Sequence, residues 1–493
     1  MGTERKSLVA DCLSLCFSAL VLYLLLSQET YYGIDSHQLL QSAYFGETTC
    51  PYHIAYPPLL RTSAAIAAWF GGSVHTAGTV LSAVGTAIGV ACGFLAFRRL
   101  DVPRSSAWPL AVMLATFPAV VFFATTVEIH GAYFGFCGLT FLAIAAFVRR
   151  PGARQGLVLG LATSLGYLCH STGALLPLFA LPVAFAAGHS DWVDPRAAFR
   201  GAVLAIVVHG IGVAVSPWLL AGTATTATHE EEASFLKQQW GHAALSQVSV
   251  WLDTVWNDWL LAFVPLAFIA VASAFVPRSR AIALATAPAL VVYLVCTAVL
   301  LGGATERGAY LLPLAWPAGL AIARWSPRPA LLWIAAFLGA AVGIGAVIAF
   351  DQDDSRPFAN GCREVLGDRS TFLLAGTHRE LEALLSHLPE VRWTQPAHFL
   401  GASEDATRAS LPGVDAWLQG CDAAGIEVWI TEGAVAMLRD PQWSSNVHGG
   451  ALLYEHLSGA RRWERHESGA FLAWRLQPLL SSVPGPESTG SSR

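Results

Sequence analysis

Apolar runs and short polar breaks alternate through the first 350 residues of the chain. Runs near 8–27, 77–97, 106–125, 131–148, 155–170, 173–188, 199–220, 259–276, 281–301, 309–323 and 330–350 approach the roughly 17–25 residues that cross the ~30 Å hydrocarbon core of a bilayer. The pattern predicts eleven transmembrane helices. The first follows Arg5 and Lys6, lacks a small-x-small cleavage pattern and reads as a retained anchor.

The breaks are of two kinds. One set is short and rich in arginine: Arg98 with Arg99, Arg149 and Arg150 with Arg154, Arg196 with Arg200, Arg278 with Arg280, and Arg324 with Arg328. Clustered Lys/Arg stays on the cytoplasmic side. The other set comprises 28–60, Thr125–His130, His170–Thr172, Gly222–Asp258 and Gly302–Arg307, and it holds most of the acids and histidines outside the C-terminal region. This alternation predicts a cytoplasmic N-terminus and an extracytoplasmic location for everything after Phe350.

Beyond Asp351 the periodicity changes. A short apolar strand is predicted at Phe372–Ala375, and Thr377 with Glu380 forms a capping box opening a helix to about Leu388. A second strand is predicted at Ile426–Ile430, then a helical stretch to about Leu438. Arg462–Arg465 and Ala470–Leu476 read as a hairpin around His466–Gly469. The domains expected are a membrane domain over 1–350, an extracytoplasmic α/β domain over 351–478 and a disordered Ser/Pro/Gly tail over 479–493.

Composition agrees with a membrane assignment. Hydrophobic residues make up 54% of the 493 positions and charged residues only 13%, against about 25% charged in soluble domains. A net charge of −5 without a Lys/Arg run excludes a nucleic-acid surface. The nine cysteines show no CxxC spacing, so no zinc or redox motif of that kind is present. Cys362 and Cys421 lie in the C-terminal domain, where an oxidising exterior would allow a bridge and two separately buried thiols are the alternative.

Candidate chemistry gathers on the histidine-bearing side. Tyr31–Arg61 carries Asp35, His37, Gln38, His53 and Tyr56 without a span, and Glu128, His130, His170, Glu306 and Arg307 stand at the ends of later segments. A single loop histidine or acid is usually solvated or a helix cap; several loops placing an acid or base at one membrane edge are harder to explain so. A carboxylate can accept the proton of an incoming hydroxyl. A guanidinium can hold negative charge growing on a leaving phosphate, and does so bidentately. Asp35 and Arg307 fit those two roles. His209 lies mid-span, where an interhelical hydrogen bond is expected of it.

At these residues the chain resembles the GT-C superfamily of integral-membrane glycosyltransferases, which use polyprenyl-phosphate sugars. Within it, the likeness is to the protein O-mannosyltransferase-like group formerly of unknown function. Asp35-Ser36-His37-Gln38-Leu39 is similar to that group's Asp-Ser-Gly-Glu-Leu, and His53 to Leu59 with Tyr56, Pro57 and Pro58 resembles its His-Pro-Pro-Gly-Tyr-Pro-Leu. Val127-Glu128-Ile129-His130 resembles Ala-Glu-Val-Tyr. Gly160–Gly166 with His170 resembles Gly-Leu-Ser-Leu-Gly-x-His, and Glu306–Pro313 resembles the Arg-Tyr-Leu-Leu-Pro segment of the wider superfamily. The likeness spans about residues 8–325 in conserved motif order.

The resemblance implies an α-helical polytopic membrane protein of GT-C-like fold with a small C-terminal α/β domain. It also implies inverting transfer of a hexose such as mannose from a polyprenyl-phosphate donor to a protein, glycan or lipid hydroxyl outside the membrane. Asp35 would be the base, with Glu128 as a second carboxylate. His37, Gln38, His53, Tyr56, His130 and His170 would line the donor and acceptor site, and Arg307 would hold the lipid phosphate. Two departures stand out: Gln38 replaces the motif glutamate, and His130 replaces the motif tyrosine. No cofactor is expected, and the acids show no metal-ligand spacing, which leaves a divalent ion open. A secondary transporter and a non-catalytic scaffold with a partner-binding outer domain are the competing classes.

Overall fold

The computed structural model describes residues 2–29, 39–40, 43, 53–188, 192–220, 247–301, 307–351, 355–388, 390–401, 403–440 and 448–478. The chain separates into two compact units, Met1–Gln352 and Asp353–Arg493.

The first unit is helical. It comprises α1 (Gly2–Leu25), α2 (Tyr56–Trp69), α3 (Val74–Arg99), α4 (Arg104–Thr116), α5 (Pro118–Thr125), α6 (Ile129–Arg149), α7 (Ala153–Cys169), α8 (Pro177–Gly188), α9 (Pro195–Leu220), α10 (Val248–Asp253), α11 (Leu266–Ser273), α12 (Pro277–Leu301), α13 (Ala315–Trp325) and α14 (Pro329–Phe350). Short 3-10 turns at Ser171–Leu175 and Ala309–Leu314 and a π-helical stretch at Thr254–Leu261 complete it.

Among the described residues, seven helical segments are long and apolar enough to cross a membrane, or nine if two bent pairs each count as one. By length and composition this count is lower than the expected eleven. The segments expected at 155–170 and 309–323 are the 17-residue α7 and a six-residue 3-10 turn followed by the 11-residue α13. Both bends have a local cause. Phe117, preceding Pro118, is extended (φ −67°, ψ 151°), as a residue before proline prefers, and the axis turns by 58° there. The second bend, 99° between Leu261 and Leu266, contains Pro265. The two meet: the Ala119 amide donates to the Ala262 carbonyl at 2.9 Å, and the Phe117 ring stacks on Phe263 at 4.9 Å.

Glycines set how closely the helices pack. A Cβ on Gly135 would stand 2.5 Å from the Gly85 carbonyl oxygen, and one on Gly138 would stand 2.7 Å from that of Gly89. The α3 and α6 backbones therefore touch, the arrangement that small residues permit where lipid offers no hydrophobic drive between helices. Gly160 lies as tightly on α9, 2.7 Å from the Ala205 carbonyl oxygen by the same measure. Polar groups tie the remaining helices: Tyr23 donates to the Ala115 carbonyl at 2.8 Å and Thr116 to the Ala336 carbonyl at 3.2 Å.

The second unit is α/β: α15 (Arg356–Leu366), β1 (Thr371–Leu374), α16 (His378–Ser386), β2 (Arg392–Thr394), α17 (Glu404–Ala423), β3 (Glu427–Thr431), α18 (Glu432–Arg439), α19 (Gly450–Ala460), β4 (Arg461–Ser468) and β5 (Phe471–Pro478). The sheet order is β2-β1-β3-β5-β4, parallel through β2, β1 and β3 and antiparallel thereafter. The expected capping box is present. Glu380 accepts from the Thr377 amide at 3.0 Å and from the Gly376 amide at 2.7 Å, and its carboxylate also takes the Thr431 hydroxyl at 2.7 Å and the Gly433 amide at 3.0 Å. One buried side chain thus joins the starts of α16 and α18. The hairpin turn is narrower than expected: Ser468 pairs with Phe471, leaving Gly469 and Ala470 as the turn. Strand β2 and helix α17 were not anticipated. Cys362 and Cys421 are both buried free thiols, so no bridge joins them. The expected tail, 479–493, lies outside the described residues.

Candidate functional site

Three imidazoles from three segments meet at one end of the first unit. His53 precedes α2, His130 opens α6, and His170 follows α7. The ring centres of His53 and His170 are 4.8 Å apart, as are those of His130 and His170. Aromatic residues close around them: Tyr133 stacks on His170 at 5.0 Å, Phe123 meets His130 at 5.0 Å, and Tyr310 lies 5.6 Å from His130 and 5.8 Å from His170.

Local structure explains each position. Glu128 is extended (φ −157°, ψ 150°) and accepts the Ile129 amide as N-cap of α6, which places His130 in the first turn. Its carbonyl takes the Ser82 hydroxyl at 2.8 Å, fastening this start to α3. His170 ends α7 in an extended conformation. Its Nδ1 pairs with the Thr172 hydroxyl at 2.7 Å and accepts the Thr172 amide at 3.2 Å, capping the 3-10 turn that follows. The Ala55 amide donates to the Leu168 carbonyl at 2.8 Å, bringing the His53 segment against the same end of α7. Pro57 and Pro58 begin α2, where a proline's missing N–H costs nothing. Tyr56 is fully buried, its hydroxyl within electrostatic reach of the Glu128 carboxylate.

Glu128, His130 and His170 are all buried, at 4%, 5% and 3% exposure. The His130 Nδ1 has no hydrogen-bond partner among the described residues. Buried polar atoms in folded proteins are nearly always partnered, and this one sits on the wall of the histidine cluster.

Arg307 lies beside the cluster. Its guanidinium carbon is 4.5 Å from the Phe122 ring centre and 4.3 Å from that of Phe350, a cation–π arrangement on two faces. Phe122 and Phe123 are consecutive on α5, so one ring carries Arg307 while the next touches His130. Arg307 adopts φ 48° and Gly308 φ 81°. For a side-chain-bearing residue the left-handed region costs about 1–3 kcal/mol and persists only where the surroundings impose it. The next residue is held by Asp258, fully buried, whose Oδ1 accepts the Gly308 amide at 3.0 Å. Sequence reasoning passed over Asp258, although an acid within Trp256–Leu261 was a visible signal.

The chain leading to the first loop ends at the same place. Gln28 is buried and donates to Thr125 Oγ1 at 2.6 Å and to the Phe122 carbonyl at 3.2 Å, while the Glu29 amide donates to Asp351 Oδ1 at 3.0 Å. Asp35, His37, Gln38 and Glu306 lie outside the described residues. The structure thus brings together His53, His130, His170 and Tyr310, with Tyr56 and Glu128 adjoining and Arg307 fastened through Phe122. His209 is buried elsewhere, edge-on to Tyr167 at 6.4 Å. Among the described residues no group of three or more His, Cys, Asp or Glu side chains is arranged to hold a metal ion.

No protein-family profile and no curated protein matches the chain at significant similarity. Its fold does match solved structures. ArnT from Cupriavidus metallidurans, crystallised with undecaprenyl phosphate, superposes with a TM-score of 0.52 at 12% identity, over 94% of this chain and 97% of that one. A looser likeness, TM-score 0.49 at 13% identity, is to the arabinofuranosyltransferase AftD from Mycobacteria, over 96% of this chain and 40% of that one. The fold is shared with ArnT: a polytopic helical membrane unit, with a small sheet domain at the C-terminus.

Proposed function

We propose that this protein is a membrane glycosyltransferase that moves a hexose from a polyprenyl-phosphate donor to an acceptor hydroxyl, and that the histidine-ringed end of the bundle is its reaction site. The observation that carries the reading is the convergence of three imidazoles, one with a buried nitrogen unpartnered among the described residues, beside an arginine held in a strained conformation. Neutral imidazoles and a tyrosine suit the many hydroxyls of a sugar, and a guanidinium suits a phosphate. The GT-C fold, and the undecaprenyl phosphate bound by ArnT, favour this donor class over other phosphates.

In this reading the acceptor hydroxyl attacks the anomeric carbon as its proton passes to the Asp35 carboxylate. The new C–O bond forms opposite the breaking bond to the phosphate oxygen, whose electron pair leaves with polyprenyl phosphate, so configuration inverts. Arg307 meets the charge growing on that phosphate. Glu128, in place of the carboxylate lost at Gln38, orients the sugar with His53, Tyr56, His130 and His170, while His37 and Gln38 attend the donor from the first loop. An apolar cavity of about 230 Å³, lined in part by Phe263, Leu266, Leu290 and Leu314, borders the segment that bears Arg307 and would accept isoprenoid units. Asp35 follows Glu29 by six residues, a tether of about 20 Å at full extension. The arginine-rich helix ends favour a cytoplasmic N-terminus, which puts this site and the C-terminal domain outside.

The test is donor discharge. Protein in liposomes, given a radiolabelled polyprenyl-phosphate mannose and hydroxyl acceptors of peptide, glycan and lipid type, should free polyprenyl phosphate and label one acceptor class. An intact donor with every acceptor, from protein that still binds it, would overturn transfer and favour a scaffold.

A further inference from the structure

The opposite end of the bundle holds a cavity that the glycosyl-transfer reading does not use. It lies where α3 ends, α6 ends and α7 begins, and has a volume of about 620 Å³. Arg99, Arg149, Arg150 and Arg154 line it together with Gln155 and Val158. Among the described residues, Asp101 is the one acid ion-paired with any of the four arginines, through Arg149, which also donates to the Arg99 carbonyl. Four guanidiniums thus surround this space against one carboxylate. The α7 N-terminus opens onto the same region, and its N-cap, Gly152, offers no side chain to the first-turn amides. Arginine forks and uncapped helix amides are both donors fitted to phosphate oxygens.

The remaining wall differs. Val158 is 46% exposed, and it continues an exposed apolar face of α7 through Leu157, Leu161 and Leu165, at 42%, 50% and 45%. On the outside of a membrane helix bundle such a face meets acyl chains. The cavity therefore has a cationic wall at the helix ends and an apolar wall running toward the hydrocarbon. A soluble phosphate would use only the first; a phospholipid would use both.

We propose that this cavity binds the phosphate head group of an anionic phospholipid of the surrounding leaflet, with an acyl chain along Val158 and Leu161. Basic pockets between transmembrane helices are suited to such head groups. The site lies at the other helix ends from the donor site, and its occupant is a resident lipid and not a reactant.

Native mass spectrometry of the full chain released from micelles tests it. The purified protein should retain phosphatidylglycerol or cardiolipin through activation that strips phosphatidylcholine. Arg150→Gln with Arg154→Gln should lower that retention about tenfold or more, as expected for two arginines near an anionic surface. The charge-matched control, Arg278→Gln with Arg280→Gln, removes two exposed arginines from the start of α12 and should retain lipid as the parent does. Size-exclusion profiles establish that both variants fold; if Arg150→Gln with Arg154→Gln fails that check, Val158→Trp, which blocks only the apolar wall, replaces it and should cause the same loss. Equal loss in variant and control would reduce the effect to general surface charge and overturn the site. Competition by millimolar inorganic phosphate without any preference for lipid would overturn the lipid assignment, and absence of retained anionic lipid would overturn the proposal entirely.

Discussion

The two ends of the helical bundle carry ionisable groups under opposite conditions. Arg99, Arg149, Arg150 and Arg154 are exposed at helix termini, where long side chains reach water or head groups at little cost. Glu128, His130 and His170 are buried at the other end among aromatic rings. Exposed arginines can be explained by topology alone. Buried imidazoles cost free energy and persist because the surrounding helix ends are built around them, through the Glu128 cap, the His170 cap and the Asp258–Gly308 hydrogen bond. The contrast separates residues that orient a membrane protein from residues that could do chemistry in one.

The sharpest way to break this contrast is Asp35→Asn. Loss of a general base costs about 10²–10⁴ in rate, so transfer should fall at least a hundredfold with expression unchanged. Asparagine caps a helix nearly as well as aspartate, so near-normal transfer would reduce Asp35 to a cap. Next in size is Gly135→Val, which drives a side chain into the Gly85 carbonyl and separates α3 from α6 below the histidine cluster. Overpacking of this kind costs about 1–3 kcal/mol; the melting temperature should drop, and an unchanged one would show that the α3–α6 contact can relax. Arg307→Lys keeps the charge and loses the planar fork, so kcat/KM for donor should fall about tenfold while stability holds. Retained activity, with a thermal loss in Arg307→Ala, would make the residue a structural clasp for Phe122 and Phe350.

The smallest effect concerns the C-terminal domain. Burial pushes the Cys362 thiol up to about 12, and Cys421 is buried and unbridged. Neither should react with a thiol reagent at pH 8 in folded protein, and mass should be the same with and without reductant. Rapid labelling of Cys362 would contradict its placement inside α15.

How much could be read from the chain follows from how local each signal is. The capping box at Thr377 and Glu380 spans one helical turn and was visible, yet the same carboxylate's bonds to Thr431 and Gly433 depend on a strand about 50 residues away and were not. His53, Glu128, His130, His170 and Arg307 could be picked out because apolar runs make every polar break conspicuous; that three of the histidines touch depends on helix packing. That packing has a sequence trace in glycines four apart, such as Gly85 with Gly89 and Gly131 with Gly135. Helix α17 was missed because Pro412, Gly413 and Gly420 interrupt its pattern. The hairpin turn was read too wide because β4 is an edge strand with charged residues on it, which makes its last residues resemble a loop.

Transfer at the histidine-ringed end requires that this end of the bundle meet the lipid-linked sugar. A polyprenyl-phosphate mannose with a photoactivatable group on its first isoprene unit, irradiated with the protein in liposomes and mapped by peptide mass spectrometry, reads this directly. Cross-links should fall within 117–134 and 307–314, around Phe122, His130, Arg307 and Tyr310, and unlabelled donor should suppress them. Cross-links confined to 99 and 146–158, at the arginine-lined end, would contradict the assignment of the site.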